Sequence, residues 1–268
     1  MSDPWRFDHA PATPRRVAVS LFVFGREFEE HVICVPALFG IPGDALAQLE
    51  TRRIERVHAT AWFDAFRSGS MRAIATSDLG PHAVAALDAA TIVHAISANI
   101  EGPADLTYLQ AAWGYARYLV AIGGAVVFDA HALAFTYGDD LPSWTAPFES
   151  DREVRVVYEA SADRPDAPHA LHTRGMKKFG APDLITLCTT DDVPLLSTAL
   201  RELADAMARG LDVGTPRHRL DVVPGVHWVL VPDEHRLADL LQLDNAARVL
   251  VDSDGHDLAG IAARLRGS

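Results

Sequence analysis

TIVHAISANIEGPADLTYLQAAWGYARYLVAIGGAVVF, residues 91–128, is the stretch that decides the fold of this 268-residue chain. Its β-branched beginning, 91–97, predicts a strand. A helix is expected next, because Pro103 suits the first helical turn and apolar residues then recur at steps of three and four. The members of that apolar stripe are Leu106, Leu109, Trp113, Ala116 and Val120. Gly123 and Gly124 end the helix, and 125–128 predict the second strand of a strand–helix–strand unit.

Toward the N-terminus, residues 16–24 have the β-branched and aromatic composition of a strand, which ends at Gly25. Residues 31–35 predict a second strand, paired with the first as a hairpin. Short helices are expected over 43–50 and 80–89, between these strands and the central unit.

Toward the C-terminus, the pattern predicts strands at 154–159, 184–188, 219–223, 226–231 and 248–251. A long helix is expected after a cap at Asp191 or Asp192, with Pro194 in its first turn and Gly210 at its end. Its buried face consists of Leu196, Leu200, Leu203 and Met207. A shorter helix near 235–243 and a terminal helix complete the prediction.

This order of elements predicts an α+β fold, with a mixed or antiparallel sheet and amphipathic helices packed on one face. The stretch 138–151 has the turn-forming and acidic residues of an exposed connection. It is expected to join an N-terminal α+β half, 1–137, to a C-terminal α+β half, 152–268. Each half contains a strand, a long helix with Pro near its start and a following strand, so two similar halves from a distant duplication are an open alternative.

Composition narrows the function. The net charge of −12 argues against nucleic-acid binding, because phosphate backbones favour clustered Lys and Arg. The N-terminus lacks the basic start and apolar run of a secretory signal, and no apolar stretch reaches the ~18 residues of a membrane span. A soluble, cytoplasmic protein without membrane contact is therefore expected. Cys34 and Cys188 lie in apolar, strand-like surroundings and are predicted to be core thiols without a disulfide.

One compact cationic spot stands out, in the stretch HALHTRGMKKFGAPDL at 169–184. The only two lysines of the chain, Lys177 and Lys178, lie there, close to His172 and Arg174. We call the stretch 172–183 the basic segment. These four side chains are the predicted ligand-binding residues, with a small anion as the ligand.

Two glycines predict the local structure of the basic segment. Gly175 and Gly180 allow tight turns on either side of one helical turn, which Phe179 would anchor to the core. Arg174 and both lysines are then expected to face outward. In the functional interpretation, the planar fork of the arginine and the N–H groups of the helical turn bind phosphate or carboxylate. The alternative is a solvated turn whose charges pair with nearby acids.

The basic segment resembles bacterial families that are defined by a domain of unknown function, some of them found near toxin and immunity genes. The resemblance covers at most the C-terminal half of the chain. It rests on Thr173, Gly175, Phe179, Gly180, Pro182 and Asp183. It brings no catalytic residue with it, and it favours an immunity-like binding protein of bacterial origin.

Other site chemistry has no matching motif in the sequence. The candidate metal ligands that lie near one another in sequence are His169 and His172, and a later group of His218, Asp221, His227 and His235. A His-Glu-x-x-His helix and paired Cys-x-x-Cys motifs are lacking, so no metal is predicted. The chain also lacks a Gly-x-Ser-x-Gly nucleophile motif and a Gly-rich phosphate loop with its lysine, so no cofactor is predicted.

The sequence therefore predicts a non-enzymatic protein that binds a protein partner or a small anion. The alternative is a hydrolase or transferase of an anionic small molecule, centred on His172 and Arg174. A closed pocket lined by the basic segment would favour the enzyme, whereas an open convex surface would favour the binding protein. A third alternative is a structural subunit, which exposed apolar surface around Trp144 and Trp228 would favour.

Overall fold

The computed structural model describes residues 5–11, 13–29, 31–141, 147–160, 169–213, 218–223 and 226–252; of these, 218–223, 226–228 and 252 are described by their backbone alone. The predicted terminal helix, Trp144 and the side chain of Trp228 lie outside the described residues. The chain divides into two compact units. Unit 1 comprises 1–7 and 14–148, and unit 2 comprises 8–13 and 149–268.

The division after Phe148 falls within the stretch 138–151, which the sequence indicated as a connection. The assignment of 8–13 to unit 2 was not predicted. There the N–H groups of Asp8 and His9 donate to the carbonyl oxygen of Arg209, at 2.8 and 3.2 Å. Because these hydrogen bonds join backbone atoms, the residue types give no indication of them.

Unit 1 is built on a five-stranded antiparallel sheet with the order β2-β3-β1-β4-β5. Its strands are β1 (Arg16–Gly25), β2 (Glu50–Glu55), β3 (Ile92–Glu101), β4 (Gly124–Asp129) and β5 (Ala134–Tyr137). Its helices are α1 (Thr60–Ala65), α2 (Gly69–Asp78), α3 (Pro81–Ala89) and α4 (Thr107–Ala121). Short 3-10 helices lie in the connections, at Pro36–Phe39, Ala45–Gln48, Arg56–His58 and Gly138–Asp140.

The strand–helix–strand unit predicted over 91–128 is confirmed as β3, α4 and β4, although α4 begins at Thr107 and Pro103 therefore lies outside its first turn. Four of the five residues of its apolar stripe are buried, with Leu106, Leu109 and Ala116 at 0% exposure and Trp113 at 3%, and Val120 is partly buried. Because β3 and β4 are both antiparallel to β1, they run parallel to each other with β1 between them. The helix packs on this three-stranded centre. A Cβ added to Gly124 would lie 2.7 Å from Val23 Cγ1 and 3.0 Å from the carbonyl oxygen of Leu119, so the Val23 face of β1 is the face toward α4.

The opposite face of the same sheet packs on α1, α2 and α3 through an aromatic cluster. Its buried rings are Phe24, Phe63, Phe66, Phe128 and Phe135, and the partly buried ring of Trp62 stacks on Phe24 at 5.9 Å between centroids. Helices therefore cover both faces of this sheet, where the sequence predicted one. The sequence signal for burial on both faces was the continuous apolar run of β1, because a strand buried on both faces shows no alternation of apolar and polar residues.

Three predictions near the N-terminus are corrected. Residues 31–35 form no strand but run into the 3-10 helix at Pro36, and the hydrogen-bonded neighbours of β1 are β3 and β4. The helix predicted over 43–50 is a single 3-10 turn, Ala45–Gln48. The strand β2, which begins two residues later, was not predicted.

Unit 2 contains a six-stranded mixed sheet with the order β6-β7-β8-β11-β10-β9. Its strands are β6 (Arg155–Glu159), β7 (His169–Arg174), β8 (Asp183–Cys188), β9 (His218–Val223), β10 (Val226–Pro232) and β11 (Ala247–Asp252). Its helices are α5 (Ser150–Glu153), α6 (Val193–Ala208) and α7 (Leu237–Leu240). Asp192 occupies the N-cap position of α6 but makes no side-chain hydrogen bond to that helix; its carboxylate instead forms a capping box with Thr189 across the preceding 3-10 turn. The predicted face of α6 is buried, at Leu196, Leu200, Leu203 and Met207.

The two units share a fold class but differ in topology. Every described strand pair of unit 1 is antiparallel, whereas β8 and β11 of unit 2 pair in parallel. In unit 1, α4 connects two strands with one strand between them, whereas α6 connects β8 to β9 with two strands between them. The α+β fold with antiparallel and mixed sheets is confirmed, and the strand orders offer no support for a duplication.

Candidate functional site

The basic segment forms the turn between β7 and β8. Its 3-10 helix, Met176–Phe179, lies between Gly175 and Gly180, whose φ values of 110° and 60° belong to the left-handed region that favours glycine. A side chain at Gly175 would also meet the carbonyl oxygen of Glu153, at 2.3 Å from its Cβ. Phe179 is 0% exposed. The predicted helical turn, its two glycines and its anchor are confirmed.

Lys178 was predicted to face outward, and that prediction is wrong. Its side chain is 0% exposed, and Nζ donates to Oε2 of Glu153 at 2.6 Å, where the glutamate side chain is itself 1% exposed. Successive residues of a 3-10 helix point about 120° apart, so adjacent lysines cannot share a face. Lys177 is the partly exposed one, and its Nζ donates to the carbonyl and carboxylate oxygens of Asp244 at 2.9 and 3.2 Å.

Asp183 closes the base of the turn from the start of β8. Its Oδ1 accepts hydrogen bonds from Thr173 Oγ1 at 2.9 Å and from the N–H of Met176 at 3.4 Å, and its Oδ2 accepts one from Asn245 Nδ2 at 2.9 Å. Burial raises the pKa of this carboxyl to about 6, although the three donors favour its charged form and limit the rise. The carboxylate is therefore a structural group at the centre of the segment.

Arg174 engages its guanidinium fork within unit 2. Nη2 donates to the carbonyl oxygen of Leu241 at 2.9 Å, and Nη1 donates to that of Gln242 at 3.3 Å. These carbonyls follow α7, where backbone oxygens lack helical partners and arginine side chains commonly supply them. The fork that was predicted to hold an anion thus ties the end of α7 to β7.

His172 lies on the same face of β7 as Arg174, two residues away, and is 0% exposed. Its Nδ1 is 3.2 Å from the carbonyl oxygen of Thr173, to which only a ring N–H can donate. Its Nε2 is 3.6 Å from Oε1 of Glu159, an electrostatic contact longer than an ordinary hydrogen bond. Interaction with His172, assisted by the charge of Arg174, lowers the pKa of Glu159.

The structure thus brings together two of the four predicted residues, His172 and Arg174, and adds Glu159 to them. Sequence reasoning missed this glutamate because only the pairing of β6 with β7 places it near the histidine. Lys178 is fully buried and is paired with Glu153 instead. Anion binding by His172, Arg174, Lys177 and Lys178 stays a prediction, and a carboxylate beside it disfavours an anionic ligand.

Within the part of the chain that the structure describes, no group of three or more His, Cys, Asp or Glu residues is placed to hold a metal ion. His169 and His172 point to opposite faces of β7, because strand side chains alternate. Both cysteines are unpaired. Burial raises the pKa of Cys34 and that of Cys188, the latter to about 11 with a further contribution from Asp192. A raised pKa disfavours the nucleophilic thiolate at both positions.

An open depression of about 470 Å³ lies in unit 1 at the end of β2. It is lined by Arg53, Glu55, Arg56, Val57, Thr60, Thr91 and Ile92. Its two arginines are already paired with carboxylates, Arg53 with Glu55 and Arg56 with Asp64. None of its lining residues comes from the basic segment, so it does not meet the criterion set for the enzyme.

A second surface, which the sequence did not predict, lies in unit 1 between Val32 and Leu38; we call it the apolar segment. Four of the seven large hydrophobic side chains that are exposed among the described residues lie here. Their exposures are 37% for Val32, 84% for Ile33, 48% for Val35 and 72% for Leu38. The β-branched residues of this run suggested a strand, whose pairing would have covered them. Without that pairing they form an exposed apolar surface.

Two side chains of α4 hold the backbone at the two ends of the apolar segment. Tyr118 Oη donates to the carbonyl oxygen of Val32 at 2.7 Å, and Arg117 Nη2 donates to that of Phe39 at 2.8 Å. Burial lowers the pKa of Arg117 to about 10, which leaves the guanidinium charged at neutral pH. The exposed side chains therefore sit on a backbone that is fixed by hydrogen bonds at both ends.

Close packing against α4 also holds the apolar segment in place. Cys34 is partly buried and packs against a small core of Ile41, Ala45 and Ala111. Gly114 permits Phe39 and Ile41 to approach α4 closely, since a Cβ at this position would lie 2.6 Å from Cγ1 of Ile41 and 2.9 Å from the carbonyl oxygen of Phe39. Some side chains of this short stretch thus pack toward α4, and others are exposed to solvent. This mixture is why its sequence pattern resembled that of a strand.

Comparison with known proteins finds no matching family model, no matching curated protein and no matching solved structure. Among the described helices, none has the length and apolar character to cross a membrane. Function is therefore inferred from the residues of the two segments.

Proposed function

We propose that this protein is a non-enzymatic binding protein that holds a protein partner against the apolar segment of unit 1. The observation that carries the proposal is the exposure of Ile33 (84%) and Leu38 (72%) on a backbone that α4 fixes. Full burial of one such side chain contributes about 1.5–3 kcal/mol. A backbone that is already fixed loses little conformational entropy on binding, so more of this energy remains as affinity.

The partner is expected to present apolar side chains bordered by basic ones. Glu27 and Glu29 are exposed immediately before the apolar segment, and the chain as a whole has a net charge of −12. Opposite charge accelerates encounter, and like charge excludes acidic competitors. An immunity-like role, which the resemblance of the basic segment favours, is consistent with a partner encoded beside the gene of this protein.

One observation favours the rival function, a hydrolase or transferase of an anionic small molecule. The buried ring of His172 faces the carboxylate of Glu159 at 3.6 Å, and a histidine with a carboxylate beside it is an arrangement used in general acid–base catalysis. The contacts of Arg174 weigh against this function, because its fork is engaged with two backbone carbonyl oxygens rather than directed at a substrate. Binding is therefore the function that we place first.

The test is co-purification with the products of the neighbouring genes, each expressed with a tag beside this protein. The wild type is expected to bring down one of them, and the double variant Ile33→Glu/Leu38→Glu is expected to lose it. Leu195→Glu is the matched control, since Leu195 is 48% exposed but lies in unit 2. Capture by the double variant that equals capture by the wild type would contradict the proposal, as would turnover of an anionic substrate that His172→Gln abolishes.

A further inference from the structure

β6 forms one edge of the unit 2 sheet. Among the described strands, its five residues Arg155-Val156-Val157-Tyr158-Glu159 pair with β7 alone. Tyr158 is 38% exposed, and the side chain of Glu159 is 52% exposed. An edge strand with an apolar centre and no Lys or Pro lacks the features that discourage pairing with another strand.

One of the two edge strands of unit 1, β2, shows what protection against such pairing looks like. Four of the six residues of β2 are charged, namely Glu50, Arg52, Arg53 and Glu55. Charged side chains along an edge discourage pairing with a second chain. In β6 the charges are confined to the two ends, and they have opposite signs.

Two copies of β6 are complementary when they run antiparallel. Pairing about a two-fold axis that is perpendicular to the sheet and lies midway between the Val157 residues of the two copies places Val157 opposite Val157 and Val156 opposite Tyr158. The same register places Arg155 of each copy opposite Glu159 of the other. Side chains directly opposite in an antiparallel pair lie on one face, with Cβ atoms about 4.5–5.5 Å apart. The pairing therefore has an apolar centre and an ion pair at each end.

Neighbouring registers lack this match. A register with Val156 opposite Val156 would carry Glu159 beyond the start of the strand, to the level of α5 in the other copy, and its ion pair would be lost. A register with Tyr158 opposite Tyr158 would carry Arg155 beyond the end of the strand in the other copy, and its ion pair would be lost. Opposite charges stabilise a cross-strand pair and like charges destabilise it, so the register through Val157 is the favoured one.

The existing sheet adds a reason for the ion pair. Within one chain, Arg155 lies opposite Arg174 of β7, which is a like charge. Glu159 of a second copy would place a carboxylate on the other side of Arg155. The pairing would therefore set an acid, rather than a further base, beside Arg155 on its outer side.

We propose that the protein forms a two-fold dimer in which the β6 strands of two copies pair antiparallel through Val157 and join their sheets into one. The occupant of this edge is a second copy of the chain, because the strand is complementary to itself in both charge and apolar character. The dimer is independent of the proposed function, since the apolar segment belongs to the other unit.

Charge reversal in separate chains tests the register directly. Arg155→Glu alone sets Glu opposite Glu159 at both ends, and Glu159→Arg alone sets Arg opposite Arg155 at both ends. Each variant by itself is expected to weaken the dimer by about tenfold or more. An equal mixture of the two variants restores both ion pairs, so it should recover the dimeric mass. The measurement is sedimentation velocity over a concentration series, with far-UV circular dichroism to establish that each variant is folded.

The matched control is Arg53→Glu on the edge strand β2 of unit 1, which should leave the dimer unchanged. Should either charge variant fail to fold, Val157→Lys provides the second test, because it sets two ammonium groups opposite each other at the axis and should give a folded monomer. A wild type that stays monomeric at high micromolar concentration would overturn the proposal. Folded single variants that remain fully dimeric, or whose mixture remains monomeric, would overturn it equally.

Discussion

The basic segment of unit 2 and the apolar segment of unit 1 reverse the usual positions of charged and apolar residues. Lys178 and Asp183 are 0% and 1% exposed, whereas Ile33 and Leu38 are 84% and 72% exposed. The difference lies in the partners that each segment finds within its own unit. Glu153 neutralises the buried lysine, and Thr173, Met176 and Asn245 donate to the buried aspartate. Among the residues that the structure describes, none covers the side chains of Ile33 and Leu38 in this way.

This comparison separates structural residues from residues that are available for binding. A buried charge is retained only when it is paired and hydrogen-bonded, so such groups hold their segment in one conformation. An exposed apolar side chain gains nothing from the fold around it, and it gains free energy when a partner covers it. Substitutions in the two segments test this division, and their expected effects on stability range from several kcal/mol to almost none.

The largest effect is expected from Lys178→Met, which leaves the carboxylate of Glu153 buried without its ammonium partner. Removal of one member of a buried ion pair costs about 3–5 kcal/mol. Replacement of both members, in Lys178→Met/Glu153→Leu, should recover most of that loss, because apolar residues tolerate the same environment. Urea unfolding of the three proteins measures these differences. A single variant as stable as the wild type would show that Lys178 is solvated rather than buried.

Asp183 predicts a pH dependence. Its pKa is about 6 in the folded chain, against an ordinary value of 3.8, so the folded state binds the proton more tightly. The stabilisation from this proton is fully present below the ordinary pKa and is lost as the pH rises through about 6. At about 1.4 kcal/mol per pKa unit, the loss amounts to at most about 3 kcal/mol.

Denaturant unfolding of the wild type and of Asp183→Asn over this pH range isolates the effect. The wild type should lose stability relative to the variant as the pH rises from about 4 to about 7. A difference in unfolding free energy that stays constant with pH would mean that Asp183 is ordinarily ionised and not buried.

Arg174→Lys should cost about 1 kcal/mol, since an ammonium cannot donate to two carbonyl oxygens in the geometry of the guanidinium fork. Arg152→Lys is the control, because Arg152 and Glu149 form an exposed ion pair whose loss should be hardly measurable. Thermal melting of both variants, with and without phosphate, provides the comparison. A phosphate-dependent rise in Tm that disappears in Arg174→Lys would instead support the anion interpretation of the basic segment.

The smallest effect on stability is expected from Ile33→Ser. Because this side chain is already in water, its removal should change the free energy of unfolding by no more than about 0.5 kcal/mol. Trp113→Ala in α4 is the contrast, with an expected loss of about 3–5 kcal/mol for a large buried ring. Chemical denaturation of both variants checks the pair of values. A loss of several kcal/mol in Ile33→Ser would place this residue in the core and remove the apolar segment as a binding surface.

The strongest local patterns were sufficient to predict much of the fold. The periodic stripe around Trp113, the glycines that flank Met176–Phe179 and the helix start near Asp192 were all recognised from sequence. In each case the determinant lies within a few residues of the element that it specifies. Such elements can therefore be predicted without knowledge of the tertiary structure.

The errors share a different cause, which is dependence on distant residues. β2 was missed because charged residues occupy most of this edge strand, and its pairing with β3 is what makes it a strand. The direction of Lys178 depends on Glu153, which is 25 positions away in the chain. Residues 31–35 have strand-like composition, but Tyr118 and the packing at Gly114 hold them against α4 instead. Sequence periodicity carries none of this information.

The most direct test of the division between the two segments is the affinity for the protein partner, measured by titration calorimetry on two variants. Ile33→Ser/Leu38→Ser changes the apolar segment, and Lys177→Ser changes the most exposed charge of the helical turn in the basic segment. The double variant is expected to raise the Kd by about 100-fold, which corresponds to about 2.8 kcal/mol, while Lys177→Ser leaves it unchanged. The opposite pattern, with affinity lost in Lys177→Ser and retained in the double variant, would contradict the account and place the binding surface in the basic segment.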